Sequence, residues 1–358
     1  MKKQFVSIGI LLFSVSAVFA AQEHQAELYV VTTLPDYAFV AKSIGGERVR
    51  VKSIVRGDQD AHFIRPKPSF AAALRKADVL VATGLDLELW IQTVVDNSAN
   101  RKIRSGQVGY VSAATGMKLL EKPKILSRAE GGVHVYGNPH VTCSPINMKV
   151  AASNIAVGLM KNDPQGKGLY ENRLRKFHKE IDEHLFGPRL VEMLGGDTLC
   201  SLAEQNKLIS FLQEQEFEGK PLIEYLGGWL KKMLPLRGTP IVTYHKNWIY
   251  FVKLFGLEEA GTVEPKPGIP PSPKHVTSLI NLMKQRGIGI ILAANYFDKH
   301  KIRTVASRTN AEAVIVPLYV GGVRGTGDYF KLVDYWVDSL LRAAEKKGIL
   351  SSDLLMAL

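Results

Sequence analysis

The stretch "LYVVTTLPDYAFVAKSIGGERVRVKSIV", residues Leu28 to Val55, contains two Val-rich runs with a helix-length segment between them. Short β-branched runs that are bounded by Gly or Pro and separated by such a segment predict a strand, a helix and a second strand. The alternation continues with "DVLVATG" (78–84), "LDLELWIQTVV" (85–95) and "QVGYVSAA" (107–114). The sequence therefore predicts an α/β lobe with a mostly parallel sheet over residues 28–145.

The chain after Pro145 has a different pattern, because apolar residues recur at three- and four-residue spacing for some fifty residues. This periodicity predicts a long linking helix over residues 146–194, with a break or kink near Pro164. A single stiff connection of this kind would join two lobes with little freedom between them.

Strand-like runs return in "TPIVTYH" (239–245) and "IGIILAA" (288–294). They predict a second α/β lobe over residues 195–345, with a helical insertion near residues 200–235. The expected architecture is two α/β lobes with mostly parallel sheets, joined by one long rigid helix, with a binding cleft between the lobes.

The first twenty residues have the composition of a secretory signal peptide. Lys2 and Lys3 precede an apolar run, and small residues come before a predicted cleavage between Ala20 and Ala21. No Cys adjoins that position, so we expect a free periplasmic protein without a lipid anchor. The formal charge of +12 falls to about +10 without residues 1–20. We interpret that charge as a solvated surface and expect no nucleic-acid partner, because no aromatic and basic motif is present.

Three of the nine histidines lie where a cleft is expected. His62 follows the predicted strand "RVRVKSIV", His245 ends the strand "TPIVTYH", and His140 lies in the loop before the long helix. Ligands of open parallel sheets bind at the carboxyl ends of the strands, and neutral imidazoles suit Zn²⁺. Any one of these histidines alone is more often a structural residue, and their wide spacing is not a metal signature by itself.

The other six histidines are weaker candidates. His134, six residues before His140, is a candidate accessory ligand. The remaining five are assigned to the solvated surface, to polar helix faces or to the mature N-terminus: His24, His178, His184, His275 and His300.

The chain resembles the substrate-binding receptors of metal-ion ABC transporters, the zinc and manganese branch known as cluster A-I. The resemblance rests on residues 30–91, on "GNPHVTCSPINMKVAASNIAVGL" (137–159), on "PIVTYHKNWIYFVKLFGL" (240–257) and on residues 266–297. It implies two α/β lobes joined by one rigid long helix, with a metal ion bound by His62, His140 and His245. It also implies a membrane permease as the partner, and no enzymatic activity.

The sequence departs from the family pattern at the expected fourth ligand. Val316 stands where most members have a carboxylate before a proline, and Ala294 and Asn295 replace an acidic residue. Candidates for the fourth position are water, Asp60, Cys143 and His134. Three histidines without a carboxylate favour Zn²⁺ over Mn²⁺, which prefers oxygen ligands.

The two cysteines, Cys143 and Cys200, exclude a disulfide-stapled scaffold. Cys143 could ligate the metal, form a disulfide with Cys200, or remain a free structural residue. The sequence does not fix the distance between the two and leaves these alternatives open.

These observations predict a monomeric protein that captures a divalent metal, most readily zinc, in the periplasm and delivers it to an ABC permease. Its affinity should fall as the pH drops through the imidazole range near ~6.5. A zinc hydrolase with Asp60 as its base is the rival hypothesis, since three histidines and a water also form a catalytic geometry. A degenerate receptor with a different ligand is the third.

Overall fold

The computed structural model describes residues 27–123, 134–266 and 268–350, so the predicted signal peptide lies outside the described residues. Within these ranges the chain forms two lobes, each built on a four-stranded parallel sheet with helices packed around it. The predicted α/β class with mostly parallel sheets is confirmed. No described helix is long and apolar enough to cross a membrane.

The N-terminal lobe has the sheet order β2-β1-β3-β4. Val30 pairs with Val51 of the edge strand on one side and with Val79 on the other, so the Val-rich runs that contain Val30 and Val79 form the centre of the sheet. Pro35 begins the first helix, where its missing N–H costs nothing. The elements are β1 (Leu28–Thr32), α1 (Pro35–Gly45), β2 (Val49–Ser53), α2 (Pro68–Arg75), β3 (Val79–Ala82), α3 (Ile91–Ser98) and β4 (Tyr110–Ser112).

The segment from 146 to 194 differs from the predicted single helix. It is divided into α4 (Pro145–Asn162), α5 (Lys167–Phe186) and α6 (Pro188–Leu194). Lys149 Nζ bonds Asp182 Oδ1 at 2.8 Å, and Ser153 Oγ lies 3.3 Å from His178 Nε2, so α4 and α5 pair in opposite directions. The linking region is therefore a helical hairpin, so the prediction of one long helix with a break or kink near Pro164 was right about the break and wrong about a single helix.

The reversal occurs at the predicted break. Pro164 begins a 3-10 turn, and Asp163 accepts the amide of Gly166 at 3.3 Å while its carboxylate is held by Arg48 at 2.6 Å. A proline lacks the N–H that would continue a helix, and the Asp163 cap satisfies the donor that the turn exposes. The hairpin also corrects the surface assignment of His178, because its Nε2 lies 3.0 Å from the carbonyl oxygen of Lys149.

A helical stretch follows, in the region of the predicted insertion. It contains α7 (Gly196–Glu204), α8 (Leu208–Glu214), the short strands β5 (Glu216–Phe217) and β6 (Lys220–Pro221), and α9 (Gly228–Met233). Its Trp229 lies against the ring of His184, with 5.1 Å between ring centroids. His184 is therefore partly packed, although the sequence assigned it to the solvated surface.

The C-terminal lobe has the sheet order β10-β9-β7-β8. An apolar cluster that includes Val242, Ile291 and Ile302 packs its helices against the sheet. The elements are β7 (Pro240–Thr243), α10 (Ile249–Phe255), β8 (Glu258–Thr262), α11 (Pro273–Gln285), β9 (Ile290–Ala294), α12 (Lys299–Thr309), β10 (Glu312–Val316) and α13 (Tyr329–Lys346).

Candidate metal centre

His62 lies in a 3-10 turn, Ala61–Phe63, in the connection between β2 and α2. Asp60 precedes the turn, and its Oδ1 accepts both the main-chain amide of His62 at 3.0 Å and the ring Nδ1–H at 2.8 Å. Trp90 Nε1 donates to the carbonyl oxygen of Ala61 at 2.7 Å and fixes the turn against the following connection. These bonds set the orientation of the His62 ring and leave its Nε2 able to bind a metal ion.

His245 comes two residues after β7 and is 5% exposed. Its ring Nδ1 lies 2.5 Å from Glu264 Oε2, and the other Glu264 oxygen accepts the amide of Gly268 at 2.8 Å. Glu264 follows β8, so neighbouring strands of one sheet supply the imidazole and the carboxylate that orients it. A carboxylate on Nδ1 again leaves Nε2 available.

His140 is 2% exposed and lies just before α4. Neither of its ring nitrogens has a hydrogen-bond partner in the described parts of the chain, whereas its main-chain amide donates to Asn138 Oδ1 at 3.0 Å. Burial, and then the charges of His62, His245 and His134, lower the pKa of His140 well below its usual value. A buried, neutral imidazole whose nitrogens make no hydrogen bond is a candidate ligand for an ion or a water molecule.

The structure brings the three imidazoles together. The ligand atoms of His62, His140 and His245 all lie within 4.8 Å of one another, an arrangement that could hold one metal ion. Ring centroids are 5.0 Å apart for His62 and His140, and 5.6 Å apart for His140 and His245. His62 and His140 come from the first lobe and His245 from the second, so the cluster lies where the lobes meet.

His134 joins this cluster from the segment that precedes His140. Its Nε2 lies 3.2 Å from His62 Nε2, and its Nδ1 lies 3.3 Å from Asp86 Oδ1. The second oxygen of Asp86 accepts the amide of Val135 at 2.8 Å, which ties the segment to the connection after β3. His134 is therefore arranged like His62 and His245: a carboxylate contacts one ring nitrogen, and the other ring nitrogen faces the histidine cluster.

The other two candidate ligands have different surroundings. Burial alone would raise the pKa of Asp60, but the hydrogen bonds and charge of His62 hold it below its usual value, so Asp60 is an ionised partner of that ring. Cys143 is fully buried, and burial, followed by the charge of Asp36, raises its pKa well above the usual value. A buried, protonated thiol of this kind is a poor metal ligand.

Both cysteines are free. Cys200 Sγ lies 3.7 Å from Lys149 Nζ and donates to Asp182 Oδ1 at 3.4 Å, so it belongs to an ion-pair cluster at the helical hairpin. The structure contains no Cys143–Cys200 disulfide among its described residues.

At the carboxyl ends of β9 and β10, apolar side chains occupy the positions where the sequence departs from the family pattern. Val316 is 1% exposed and Ala294 is fully buried. Asn295 donates to the carbonyl oxygen of Gly322 at 3.1 Å and makes a structural contact.

Sequence reasoning missed two carboxylates of the site, Asp86 and Glu264. A signal was available, because each follows the carboxyl end of a parallel strand, as His62 and His245 do. Both bond imidazoles that are distant in the sequence, so only the folded chain identifies the partners.

Two α/β lobes with orphaned and carboxylate-oriented imidazoles between them define a class: metal-binding receptors that hold an ion between lobes. The chain matches the family described as ZnuA, "Zinc-uptake complex component A periplasmic", over residues 30–184 and 223–343. The protein belongs to this family. It is a metal-binding substrate-binding protein of an ABC transporter, with a metal ion as its ligand and a membrane permease as its partner, and it is not an enzyme.

Curated relatives cover nearly the whole chain at low identity. The manganese ABC transporter substrate-binding lipoprotein PsaA of Streptococcus mitis is 22% identical over 350 residues, 96% of this chain and 97% of that protein. The metal ABC transporter substrate-binding lipoprotein SsaB of Streptococcus sanguinis is 22% identical over 358 residues, 96% of this chain and 100% of that protein.

Solved structures show the same fold. A zinc-bound deletion mutant of ZnuA covers 88% of this chain and 98% of its own, with a TM-score of 0.65 and 21% identity. A manganese-bound periplasmic metal-binding protein from Candidatus Liberibacter asiaticus covers 88% and 99%, with a TM-score of 0.62 and 17% identity. Because the similar proteins are named for zinc, for manganese or for metal in general, they do not determine the ion of this chain.

Proposed function

We propose that the protein captures zinc with high affinity on His62, His140 and His245, with His134 as the fourth ligand, and delivers it to the permease. The observation that carries this proposal is the unpartnered, buried His140 within ligand distance of two carboxylate-oriented imidazoles. Burying an imidazole without a hydrogen bond costs free energy, and a bound ion would offset that cost.

The donor set favours zinc over manganese. The candidate ligand atoms that lie close together in the described chain are imidazole nitrogens. The carboxylates of Asp60, Asp86 and Glu264 bond to the Nδ1 atoms of the rings. Mn²⁺ prefers oxygen ligands and higher coordination, whereas Zn²⁺ accepts four nitrogens in a tetrahedron.

The spacing of two rings supports four-coordination. Two nitrogens bound tetrahedrally at 2.0–2.1 Å from one zinc ion are separated by about 3.3 Å. His62 Nε2 and His134 Nε2 lie 3.2 Å apart, close to that value. This distance supports His134 as the fourth ligand, beside the three described histidines whose nitrogens all lie within 4.8 Å of one another, His62, His140 and His245.

The proposal includes the organisation and location of the chain. Residues 1–20 would direct export, residues 28–145 and 195–345 would form the two lobes, and residues 146–194 would link them. The relatives are named as lipoproteins, but both cysteines of this chain are buried in its lobes, at 143 and 200. We infer a monomer free in the periplasm.

Isothermal titration of Zn²⁺ and Mn²⁺ into the metal-stripped protein tests the function. One tight Zn²⁺ site with weak Mn²⁺ binding is expected, and His140→Ala should abolish it, whereas His300→Ala, at the exposed start of α12, should leave it intact. Tight Mn²⁺ binding would overturn the zinc assignment. Absence of any tight divalent site would support the degenerate receptor.

X-ray absorption at the zinc edge tests the ligand set. Four nitrogen neighbours at about 2.0 Å are expected, with a fall to three and a new oxygen neighbour in His134→Ala. A sulfur neighbour at about 2.3 Å would instead identify a cysteine ligand.

A further inference from the structure

His140 is oriented differently from the other histidines of the cluster. His62, His134 and His245 each have a carboxylate on one ring nitrogen, whereas His140 has none among the described residues. Its main chain is held instead: its carbonyl oxygen accepts the amide of Cys143 at 3.3 Å, and its own amide donates to Asn138 Oδ1 at 3.0 Å. The position of this ligand therefore depends on what holds Asn138.

Asn138 uses all of its hydrogen-bonding groups. Within the first lobe, its main-chain amide donates to Leu120 O at 2.8 Å, and its Nδ2 donates to Glu121 Oε2 at 2.9 Å. Towards the second lobe, Nδ2 donates to Lys246 O at 2.6 Å, and the carbonyl oxygen accepts the hydroxyl of Tyr250 at 2.6 Å. The buried side chain of Asn138 thus connects the two lobes to each other and to the main chain of His140.

An ion pair closes this arrangement. Lys246 Nζ lies 2.9 Å from Glu121 Oε1, while the other oxygen of Glu121 accepts from Asn138. Tyr250 also accepts the amide of Leu120 at 3.2 Å. We name Glu121, Asn138, Lys246 and Tyr250 the interlobe latch.

The latch joins the backbones of two candidate ligands from opposite lobes. Asn138 lies two residues before His140, and Lys246 comes directly after His245. We infer that the interlobe latch fixes the distance between His140 and His245 and thereby sets the rate at which the bound metal is released. Its members are positioning residues, and the inference rests on the proposed metal-binding function.

Such positioning residues act on metal affinity without touching the ion. Loss of a group that orients a metal ligand typically costs about 10- to 100-fold in affinity. Asn138→Ala removes three side-chain bonds at once, so a release rate higher by about 10- to 100-fold is expected. Glu121→Gln removes one partly exposed charge, and a rise of about 2- to 5-fold is expected from a pair of this kind.

The test measures release of Zn²⁺ from the full mature protein by stopped flow, with a chromophoric chelator in excess. Asn154→Ala is the matched control for Asn138→Ala, because Asn154 Nδ2 also joins two carbonyl groups, at 2.9 Å each, but these bonds tie α4 to the first lobe and do not reach the second. Glu258→Gln is the control for Glu121→Gln, because Glu258 pairs with Arg286 at 2.7 Å at the opposite end of the second sheet.

Faster release in both latch variants, with control rates unchanged and metal-free melting temperatures close to the parent, would support the latch. Raising the salt concentration should accelerate release from the parent more than from Glu121→Gln, since screening weakens the same ion pair. If Asn138→Ala fails to fold, Glu121→Gln and its salt dependence carry the test.

Two failures are distinguishable. A parent that holds zinc tightly while the latch variants release it at the parental rate would overturn the latch and leave the proposed function intact. A parent that holds no zinc would overturn the proposed function and the latch with it.

Discussion

The two lobes have the same strand order but contribute unequally to the site. In each sheet, the strand that comes first in the chain lies between the second and the third, and the fourth lies beside the third at the edge. In the first lobe the segments after the second and third strands carry Asp60 with His62, and Asp86, which bonds His134. In the second lobe the segments after the first and second strands carry His245 and Glu264.

The difference shows how a shared topology can form an asymmetric site. Three imidazoles of the cluster come from the first lobe and its connection to α4, and in the described chain the second lobe adds His245. The first lobe therefore holds most of the donors in place, and the second completes the set when the lobes meet. Each prediction below tests this asymmetry, in order of decreasing expected effect.

Removing a ligand should have the largest effect. Structural zinc sites contribute about 10–16 kcal/mol, so one of four ligands accounts for about 100- to 1,000-fold in affinity. Both His62→Ala and His245→Ala should lose this much by titration. Because His245→Ala removes the described donor of the second lobe, its loss should lie at the upper end of this range, and zinc should raise its melting temperature less than in His62→Ala. Equal zinc-induced shifts in the two variants would contradict the asymmetry.

Removing an orienting carboxylate should have the next largest effect. Glu264→Ala should weaken zinc binding by about 10- to 100-fold, because His245 then has no fixed ring orientation. Asp60→Ala should cost less, because the bond from Trp90 Nε1 to the carbonyl oxygen of Ala61, at 2.7 Å, still holds the turn that carries His62. Competition titrations with a chelator of known affinity would measure both. A larger loss in Asp60→Ala would reverse the ranking of the lobes.

Asp36 offers a pH test at a position that corresponds topologically to that of His245. It follows β1 as His245 follows β7, but it is fully buried, and neither carboxylate oxygen has a hydrogen-bond partner within residues 27–123, 134–266 and 268–350. Burial raises its pKa to about 8. The folded protein therefore keeps the proton at pH values where the unfolded chain has lost it.

The sign of the effect follows from this raised pKa. Between pH 3.8, the pKa of Asp36 in the unfolded chain, and about pH 8, the folded state binds more protons at this group than the unfolded state does. The free energy of unfolding of the wild type therefore falls as the pH rises through this range. Asp36→Asn should raise the free energy of unfolding by about 1–2 kcal/mol at pH 7 and by little at pH 4. A shift in pKa changes stability by at most about 1.4 kcal/mol per unit. The expected gain is smaller than that maximum, because the asparagine amide would itself be buried and its burial costs free energy. Urea denaturation at both pH values measures it, and an equal change at both would show that ionisation is not the cause.

The cysteines should have the smallest effect on metal binding. Cys143→Ala and Cys200→Ala should each leave the affinity for zinc within about 2-fold of the parent, since neither thiol adjoins the imidazole cluster. Alkylation of the native protein should also be slow, because burial raises the pKa of both thiols. Rapid modification of Cys143 that zinc prevents would return it to the list of ligands.

Much of the fold could be predicted from local sequence, and the errors have identifiable causes. β1, β3, β7 and β9 were predictable because they are buried Val- and Ile-rich runs. β8, "EEAGT", gives no such signal, because it is an edge strand with partly exposed residues. The hairpin of α4 and α5 was missed because apolar periodicity is the same whether a helix continues or folds back on itself. Only pairs such as Lys149 with Asp182 reveal the direction.

The sequence by itself determined most of the lobes' strands, the break at Pro164 and the three candidate histidines, because these depend on residue type and local spacing. Tertiary structure alone decided that Cys143 is buried, that His134 contacts His62, and that Asp86 and Glu264 orient distant imidazoles. Those relations join residues from different strand ends. Their separations are set by sheet order and by the contact between lobes, and neither leaves a periodic signal in the chain.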